Sequence, residues 1–371
     1  MGTLELTMDT NTYEQAQSPL IGIPLQEQIQ DEKQHRLDNG GNDSRTTELI
    51  LEGLRSSPRY LPSVLLWDEV GLNIYSKIMR SEDYYLTRVE TEILQVHVDA
   101  IVESIGDGGV IIELGSGCLS KTRVILEGFV RRRMHVQYYA LDVCPTTLAE
   151  SLSDLRSQLN YSNYVTCHPL CMMYNDSIAW LANNASLQTK CISVLWLGAS
   201  MGNEERVDMH QLLRGLTAAL RKNDTSHAGV GKIQFLVAVD GNKDADMVSR
   251  AYDTRDDLSR RFVLNILRNL TSVVVFEPAK WAFAGEWDAQ EAIYRTSLMA
   301  LETQAIRFNG SDTTLEITKG EKIQIISSRK LGFEELCEWL CGSGLEIDEA
   351  WKHPDIDYSL YRLLPESLTN Y

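Results

Sequence analysis

The 371-residue sequence has no apolar run approaching the roughly 18 residues that a membrane-spanning helix needs. Its first thirty residues are acidic and glutamine-rich rather than charged and then apolar, so neither a span nor a secretory leader is expected, and the expected compartment is the cytoplasm. Positive charge is also scarce. Lys plus Arg number 35 against 52 Asp plus Glu, a net charge of −17 that repels a phosphate backbone and an anionic leaflet alike, so no nucleic acid and no membrane is expected as partner. The one dense basic patch, Arg131-Arg132-Arg133, follows a helical pattern ending near Val130, where cations complement the helix dipole, and reads as a solvated helix end. Seven cysteines, an odd number without a regular framework, exclude a disulfide-stapled fold and read as reduced thiols. Cys167 with Cys171, and Cys337 with Cys341, have C-x3-C spacing but no second matching pair nearby in sequence; they read as small buried side chains, and no metal is expected.

What is present is an α/β chain with 43% hydrophobic residues, enough for a buried core. The apolar, β-branched run Val110-Ile111-Ile112 ends in Glu113-Leu114 and breaks into Gly115-Ser116-Gly117. Such a run is a buried parallel strand opening onto a ligand, because glycine lets the backbone approach closely and the next helix presents free N–H groups there. A second run, Val136 to Leu141, ends in Asp142, placed to accept both ribose hydroxyls of a bound nucleoside.

Residues 1–44 are polar and aperiodic and are expected to be a disordered tail. Residues 45–100 carry apolar positions at three- and four-residue steps and form an expected helical cap. Strands are expected at 109–114, 135–142, 163–167, 191–197 and 232–240, alternating with helices at 121–130, 145–158 and 204–221, which makes 101–242 a Rossmann-like nucleoside-binding domain. Residues 243–275 return to helix. Three short runs at 304–308, 313–317 and 322–327, split by Asn309-Gly310 and Lys319-Gly320, predict a β-meander; with the cap, 243–330 forms an inserted substrate-binding domain. A helix at 333–341 and strands near 345–351 and 357–363 return the chain to the sheet in 331–371.

Three nucleosides compete for the Gly115 loop. A dinucleotide fold wants G-x-G-x-x-G, but the third position is Ser120, and Asp142 lies 29 residues beyond Glu113. A P-loop wants G-x-x-x-x-G-K-[ST], and Gly115 to Thr122 reads G-S-G-C-L-S-K-T, missing only the second glycine. Electrostatics argue against it: Glu113 beside a triphosphate would repel it, and Asp142 has no task there. S-adenosylmethionine carries a sulfonium and an ammonium group and no phosphate, so the same acids suit it.

Five ordered motifs carry a resemblance. They are Trp67-Asp68-x-Val70-Gly71; Ser81-Glu82-Asp83-Tyr84-Tyr85-Leu86-Thr87-Arg88-x-Glu90; Glu113-Leu114-Gly115-Ser116-Gly117-x-x-Ser120-Lys121-Thr122; Leu197-Gly198-x-Ser200-x-Gly202-Asn203; and Asp240-x-x-Lys243-Asp244 followed by Arg250-Ala251-Tyr252-Asp253. Over about residues 46–365 the chain resembles the histidine-specific N-methyltransferase family of ergothioneine biosynthesis, and within it the fungal branch that methylates 4-dimethylallyltryptophan in ergot-type alkaloid pathways. The resemblance implies a Rossmann-like class I methyltransferase sheet with an inserted helical and β-meander substrate domain, S-adenosylmethionine as cofactor, and a small amino acid as substrate. A homodimer is left open.

The cofactor contacts implied are Gly115, Ser116, Gly117, Lys121, Asp142, Tyr174 and the Gly198 region. Met173-Tyr174 stands where bacterial members place Asp-Phe against the adenine, so Tyr174 offers an aromatic face without the acid. The implied amino-acid clamp is Tyr84, Asn203 and Tyr252, holding the α-carboxylate and α-amine. Trp67 replaces a tyrosine near the amine. Ile326 and Thr296 stand where histidine methylators carry a glutamate and a methionine, and Ser328, beside them, can bond an indole N–H. Losing the acid would leave imidazole N–H groups unpaired, at roughly 1–3 kcal/mol each, while making room for an indole. The implied function is methylation of the α-amine of 4-dimethylallyltryptophan or tryptophan; histidine methylation and a non-catalytic cofactor-binding protein are the alternatives.

Overall fold

The run at 109–114 forms β1 (Gly109–Leu114), a strand buried at every position. Alternate residues face opposite ways: Ile111 joins one core with helical-cap residues, while Val110, Ile112 and Leu114 join a second core across the sheet. Burial on both faces is why the run is continuously apolar rather than alternating. The computed structural model describes residues 40–187, 190–221, 233–275, 277–310 and 314–366, and these belong to the compact unit Gly41–Tyr371 apart from Gly40 itself.

Beside β1 lie β2 (Val136–Asp142), β3 (Val165–Cys171), β4 (Ile192–Trp196) and β5 (Ile233–Asp240), all parallel; β13 (Tyr358–Pro365) runs antiparallel to β5, and β12 (Leu345–Lys352) antiparallel to β13. The order β12-β13-β5-β4-β1-β2-β3 reverses direction between β1 and β4. This is a Rossmann-like α/β sheet, and a ligand crevice opens at such a reversal, outside the carboxyl ends of the strands. Helices α1 (Gly40–Arg55), α2 (Glu69–Ile78) and α3 (Tyr85–Ile105) precede the sheet. Crossovers are supplied by α4 (Thr122–Arg132), α5 (Pro145–Gln158), α6 (Tyr174–Asn183) and α7 (Arg206–Arg221).

Within the Trp67 to Gly71 motif, Asp68 caps α2 by accepting the Gly71 N–H at 2.7 Å and also holds Asn265 Nδ2 at 2.8 Å. A Cβ on Gly71 would collide with the Leu66 carbonyl, so this motif is first a device for seating α2 beside Trp67.

Four expectations are corrected. Residues 1–39 of the expected tail lie outside the described residues, but α1 begins at Gly40, inside that segment. The third strand runs through Pro169 to Cys171 rather than stopping at 167; β3 is an edge strand, so the missing N–H costs no ladder bond on its open side. The three runs expected as one meander are shared between two sheets. β9 (Gln304–Phe308) pairs with β10 (Thr314–Ile317) and β6 (Val274–Val275), whereas β11 (Lys322–Arg329) pairs with β8 (Ile293–Ala300), itself paired with β7 (Trp281–Asp288). Helices α8 (Ala245–Tyr252), α9 (Leu258–Leu264) and α10 (Ile266–Asn269) lead into these sheets, and α11 (Phe333–Leu340) leads back out. Finally, of the four paired cysteines only Cys167 is buried; Cys171 is half-buried, and Cys337 and Cys341 are exposed because they lie on the outer side and the end of α11.

Candidate active site

A cavity of about 570 Å³ opens beyond the carboxyl ends of β1, β2 and β4 and runs toward the inserted segments. Every site residue expected from the sequence lines it: Gly115, Ser116, Gly117, Lys121, Asp142, Tyr174 and Gly198 toward the sheet, and Trp67, Tyr84, Asn203, Tyr252, Thr296, Ile326 and Ser328 toward the insert.

Gly115 and Gly117 adopt φ of +67° and +56°, a left-handed backbone that side chains resist. A Cβ on Gly115 would also strike the hydroxyl of Tyr174, the first residue of α6. The loop is anchored by Asp142 at the end of β2, whose Oδ2 accepts the Gly117 N–H at 2.9 Å and whose Oδ1 accepts the Val143 N–H at 2.7 Å. Burial pushes the Asp142 carboxyl up from its usual range, and these backbone donors oppose the shift. Ser116 Oγ is buried with no hydrogen-bond partner among the described residues, an open polar valence on the wall of the cavity.

Glu113 lies beneath this loop with its carboxylate committed. Thr122 Oγ1 donates to it at 2.7 Å and Tyr138 Oη at 2.5 Å, while burial, the dominant influence, pushes its carboxyl up to about 7. Lys121 is the N-cap residue of α4 rather than a residue inside it, and its ammonium is paired to Glu90 Oε2 at 3.0 Å. Glu90, on α3 and fully buried, also accepts the Gly198 N–H at 2.9 Å and the Tyr358 hydroxyl at 2.5 Å. One carboxylate thereby ties α3 to the loop after β4, to the start of α4 and to β13. In the sequence, Glu90 stands out only as a lone acid on the inward stripe of an apolar helix.

The charged groups lining the cavity among the described residues are Glu113, Asp142, Glu204 and Asp208 against Lys121 alone, and Lys121 is already neutralised by Glu90. That balance repels a polyphosphate and suits a nucleoside bearing positive charge. The left-handed glycines, the unpartnered Ser116 hydroxyl and the anchored Asp142 fit S-adenosylmethionine on the same grounds.

The other half of the cavity is aromatic. Trp67 meets Tyr75 edge-on at 5.1 Å and Phe262 at 5.2 Å between ring centroids; Tyr84 meets Tyr252 edge-on at 6.2 Å, and Tyr252 stacks on Tyr294 at 5.0 Å. The Tyr75 and Tyr84 hydroxyls bond each other at 2.9 Å, and burial pushes both phenols upward, so both stay protonated at neutral pH. Thr296 and Ile326 are direct cross-strand partners on β8 and β11, beside an irregularity between Gln324 and Ile326. Ser328 Oγ donates to Asn203 Oδ1 at 2.9 Å. The sequence reading missed Tyr75 and Phe262, which are spaced like ordinary core residues of a helix. It also missed Lys330, a buried lysine whose Nζ bonds Asp240 at 2.6 Å and the Tyr252 hydroxyl at 2.8 Å. Its signal was a charge on the same face as Ser328, two residues earlier.

Residues 46–365 match the family described as histidine-specific methyltransferase, SAM-dependent. The chain is 34% identical over 312 residues to N-methyltransferase imqF of Aspergillus flavus, a match covering 83% of this chain and 82% of that protein. It is 32% identical to Ergothioneine biosynthesis protein 1 of Neurospora crassa, covering 83% of this chain and 33% of that protein. Identity is 24% to 4-dimethylallyltryptophan N-methyltransferase easF of Aspergillus fumigatus, covering 87% of this chain and 94% of that one. No helix among the described residues is long and apolar enough to cross a membrane.

Proposed function

The chain belongs to the histidine-specific, SAM-dependent methyltransferase family, and from that premise we propose that it methylates the α-amino group of an aromatic amino acid, tryptophan or its 4-dimethylallyl derivative. The observation that carries this reading is the wall of the substrate half. Trp67, Tyr75, Phe262 and Val263 supply apolar and aromatic area, and Thr296 and Ile326 face each other with no charge between them. An imidazole placed there finds no acid for its N–H groups, and each one buried unpaired costs about 1–3 kcal/mol. An indole has one N–H, for which the Ser328 hydroxyl retains accepting lone pairs, and its larger apolar surface matches the wall.

When bound, S-adenosylmethionine supplies a methyl group activated by a positively charged sulfur. The Gly115 loop, Asp142, Tyr174 and the Gly198 region hold it, with Glu90 fixing Gly198 and keeping Lys121 neutralised beside it. Tyr84, Asn203 and Tyr252 hold the carboxylate and amine of the amino acid so that the nitrogen faces the cofactor half of the cavity. Positioning is the main task, because an amine aligned about 3–3.5 Å from its target gains most of the available rate from orientation. The amine sheds its proton to water or to a weak polar acceptor, so no strong general base is needed.

Incubation with S-adenosylmethionine and, in parallel, histidine, tryptophan and 4-dimethylallyltryptophan tests the reading by mass spectrometry. Products one or more methyl groups heavier are expected from the indole amino acids. Methylation of histidine alone would overturn the substrate assignment.

A further inference from the structure

Lys330 follows β11 and is 1% exposed, yet nothing in the methyl-transfer geometry described so far requires a cation there. Its Nζ lies 2.6 Å from Asp240 Oδ2, 2.8 Å from Tyr252 Oη and 4.6 Å from the centroid of the Tyr252 ring. Asp240 is held by further donors: the Tyr85 hydroxyl donates to Oδ2 at 2.6 Å and the Asn242 N–H to Oδ1 at 3.0 Å. The pair is therefore neutral overall, and it projects direction rather than net charge toward the cavity.

An ammonium has protons to give and no lone pair to receive one. Tyr252 Oη must then accept from Lys330, and its own proton turns elsewhere, toward the cavity that the residue lines. The same sense is imposed next door. Ser328 Oγ donates to Asn203 Oδ1, which leaves the amide N–H groups of Asn203 to point away from it. Ser328 and Lys330 are alternate residues of one segment, so one strand end orients two of the three clamp residues.

We propose that Lys330 determines the specificity of the substrate clamp: it holds Tyr252 as a one-way hydrogen-bond donor, so that Tyr252, with Asn203, grips an α-carboxylate and rejects an ammonium at that place. This rests on the amino-acid reading above and adds a selectivity, for amino acids over the corresponding decarboxylated amines. A decarboxylated amine would leave two oriented donors unpaired or face them with its own cation. Lys330 acts through Tyr252 and is a positioning residue.

The test compares tryptophan with tryptamine, by kcat/KM and by calorimetric affinity in the presence of the cofactor's demethylated product. Asp240→Asn with Lys330→Met removes both buried charges together and takes away the donor to Tyr252. The preference for the carboxylated substrate is expected to fall about tenfold to a hundredfold, the range set by one oriented, charge-assisted hydrogen bond. Affinity for S-adenosylmethionine should be unchanged, and Lys330→Arg, which keeps a cationic donor, should retain the preference. An unchanged preference, or equal losses on both substrates, would overturn the proposal. Should the double variant not fold, Tyr252→Phe decides, since it leaves the ion pair intact: the preference must fall there too, and an unaltered ratio refutes the role. If the wild-type protein methylates histidine instead of tryptophan, the indole assignment fails alone, and the same comparison is made with histidine and histamine.

Discussion

At the scale of single residues, the clamp and the loop make separable demands. Tyr84→Phe combined with Asn203→Ala removes two polar contacts proposed for the amino acid, each worth about 1.5–3 kcal/mol toward a charged group, so kcat/KM should fall by about a hundredfold or more. Calorimetric affinity for S-adenosylmethionine should survive that change; turnover at the wild-type level would remove both residues from the clamp. Asp142→Ala should do the reverse and weaken cofactor binding, because it deletes the acceptor proposed for the ribose and frees the Gly117 N–H that the carboxylate now holds. Unchanged affinity would exclude the ribose role. Glu113 makes a different kind of prediction. Its carboxyl, raised from the ordinary 4.5 to about 7, binds its proton more tightly in the folded than in the unfolded chain. The stability it contributes is full below about pH 4.5, declines as pH rises toward 7 and is flat above, a loss of about 3 kcal/mol at about 1.4 kcal/mol per unit. Glu113→Gln has no proton to lose, so melting curves should show the variant gaining on the wild type between pH 5 and 7.5. A constant difference across that range would mean that Glu113 does not titrate there. The glycines and the residues proposed for the clamp were legible as candidates because each lies in a short motif, and Asp142 because it ends an apolar strand run. Tyr75 was not, because it is spaced like an ordinary core residue of its helix, and Phe262 and Lys330 were not, because their partners come from distant segments.

At the scale of elements, legibility followed burial. Strands β1, β4 and β5 are buried on both faces and read as largely apolar runs, whereas β7 and β8 passed unnoticed. Trp281 to Asp288 contains Ala282, Ala284 and Gly285, poor strand formers by propensity; Gly285 is needed because a Cβ there would strike the Tyr294 hydroxyl on β8. That constraint comes from the pairing of β7 with β8 and is invisible until the two strands are set side by side. The same holds for β11, which looks like the next strand after β10 but pairs with β8, bringing Ile326 opposite Thr296. Glu90 does for the helices what register does for these strands. Glu90→Ala would strand the Lys121 ammonium, whose side chain is only 15% exposed, and leave the Gly198 N–H and the Tyr358 hydroxyl without their acceptor. Breaking a buried pair from one side costs about 3–5 kcal/mol, and denaturant unfolding should register a loss of that size. A loss typical of a surface ion pair, below about 1 kcal/mol, would show that Glu90 is not the tie between α3 and the sheet.

At the scale of the whole molecule, the charge of −17 and the cavity carry the same sign. From the sequence, Glu113 at the base of the loop opposes a triphosphate; in the structure Glu113 is capped by hydroxyl donors, and among the described residues Asp142, Glu204 and Asp208 share the lining with a single, already paired lysine. Among the described residues the P-loop near-match thus lacks the free cation that a phosphate requires. The cavity also lies where strand order reverses between β1 and β4 and takes part of its wall from the cap and the insert, so a ligand that fits it binds the folded chain and not the unfolded one. S-adenosylmethionine at about a hundred times its Kd should then stabilise the fold by about 2.7 kcal/mol, raising Tm in a concentration-dependent way. ATP and NAD at equal concentration should leave Tm where it was, because the acids that attract a sulfonium repel their phosphates, and added salt, which screens exposed charges over about 10 Å at 0.1 M, should not rescue them inside a walled cavity. A Tm rise with ATP that matched or exceeded the rise with S-adenosylmethionine would mean that the loop's resemblance to a P-loop outweighs the charge of its surroundings.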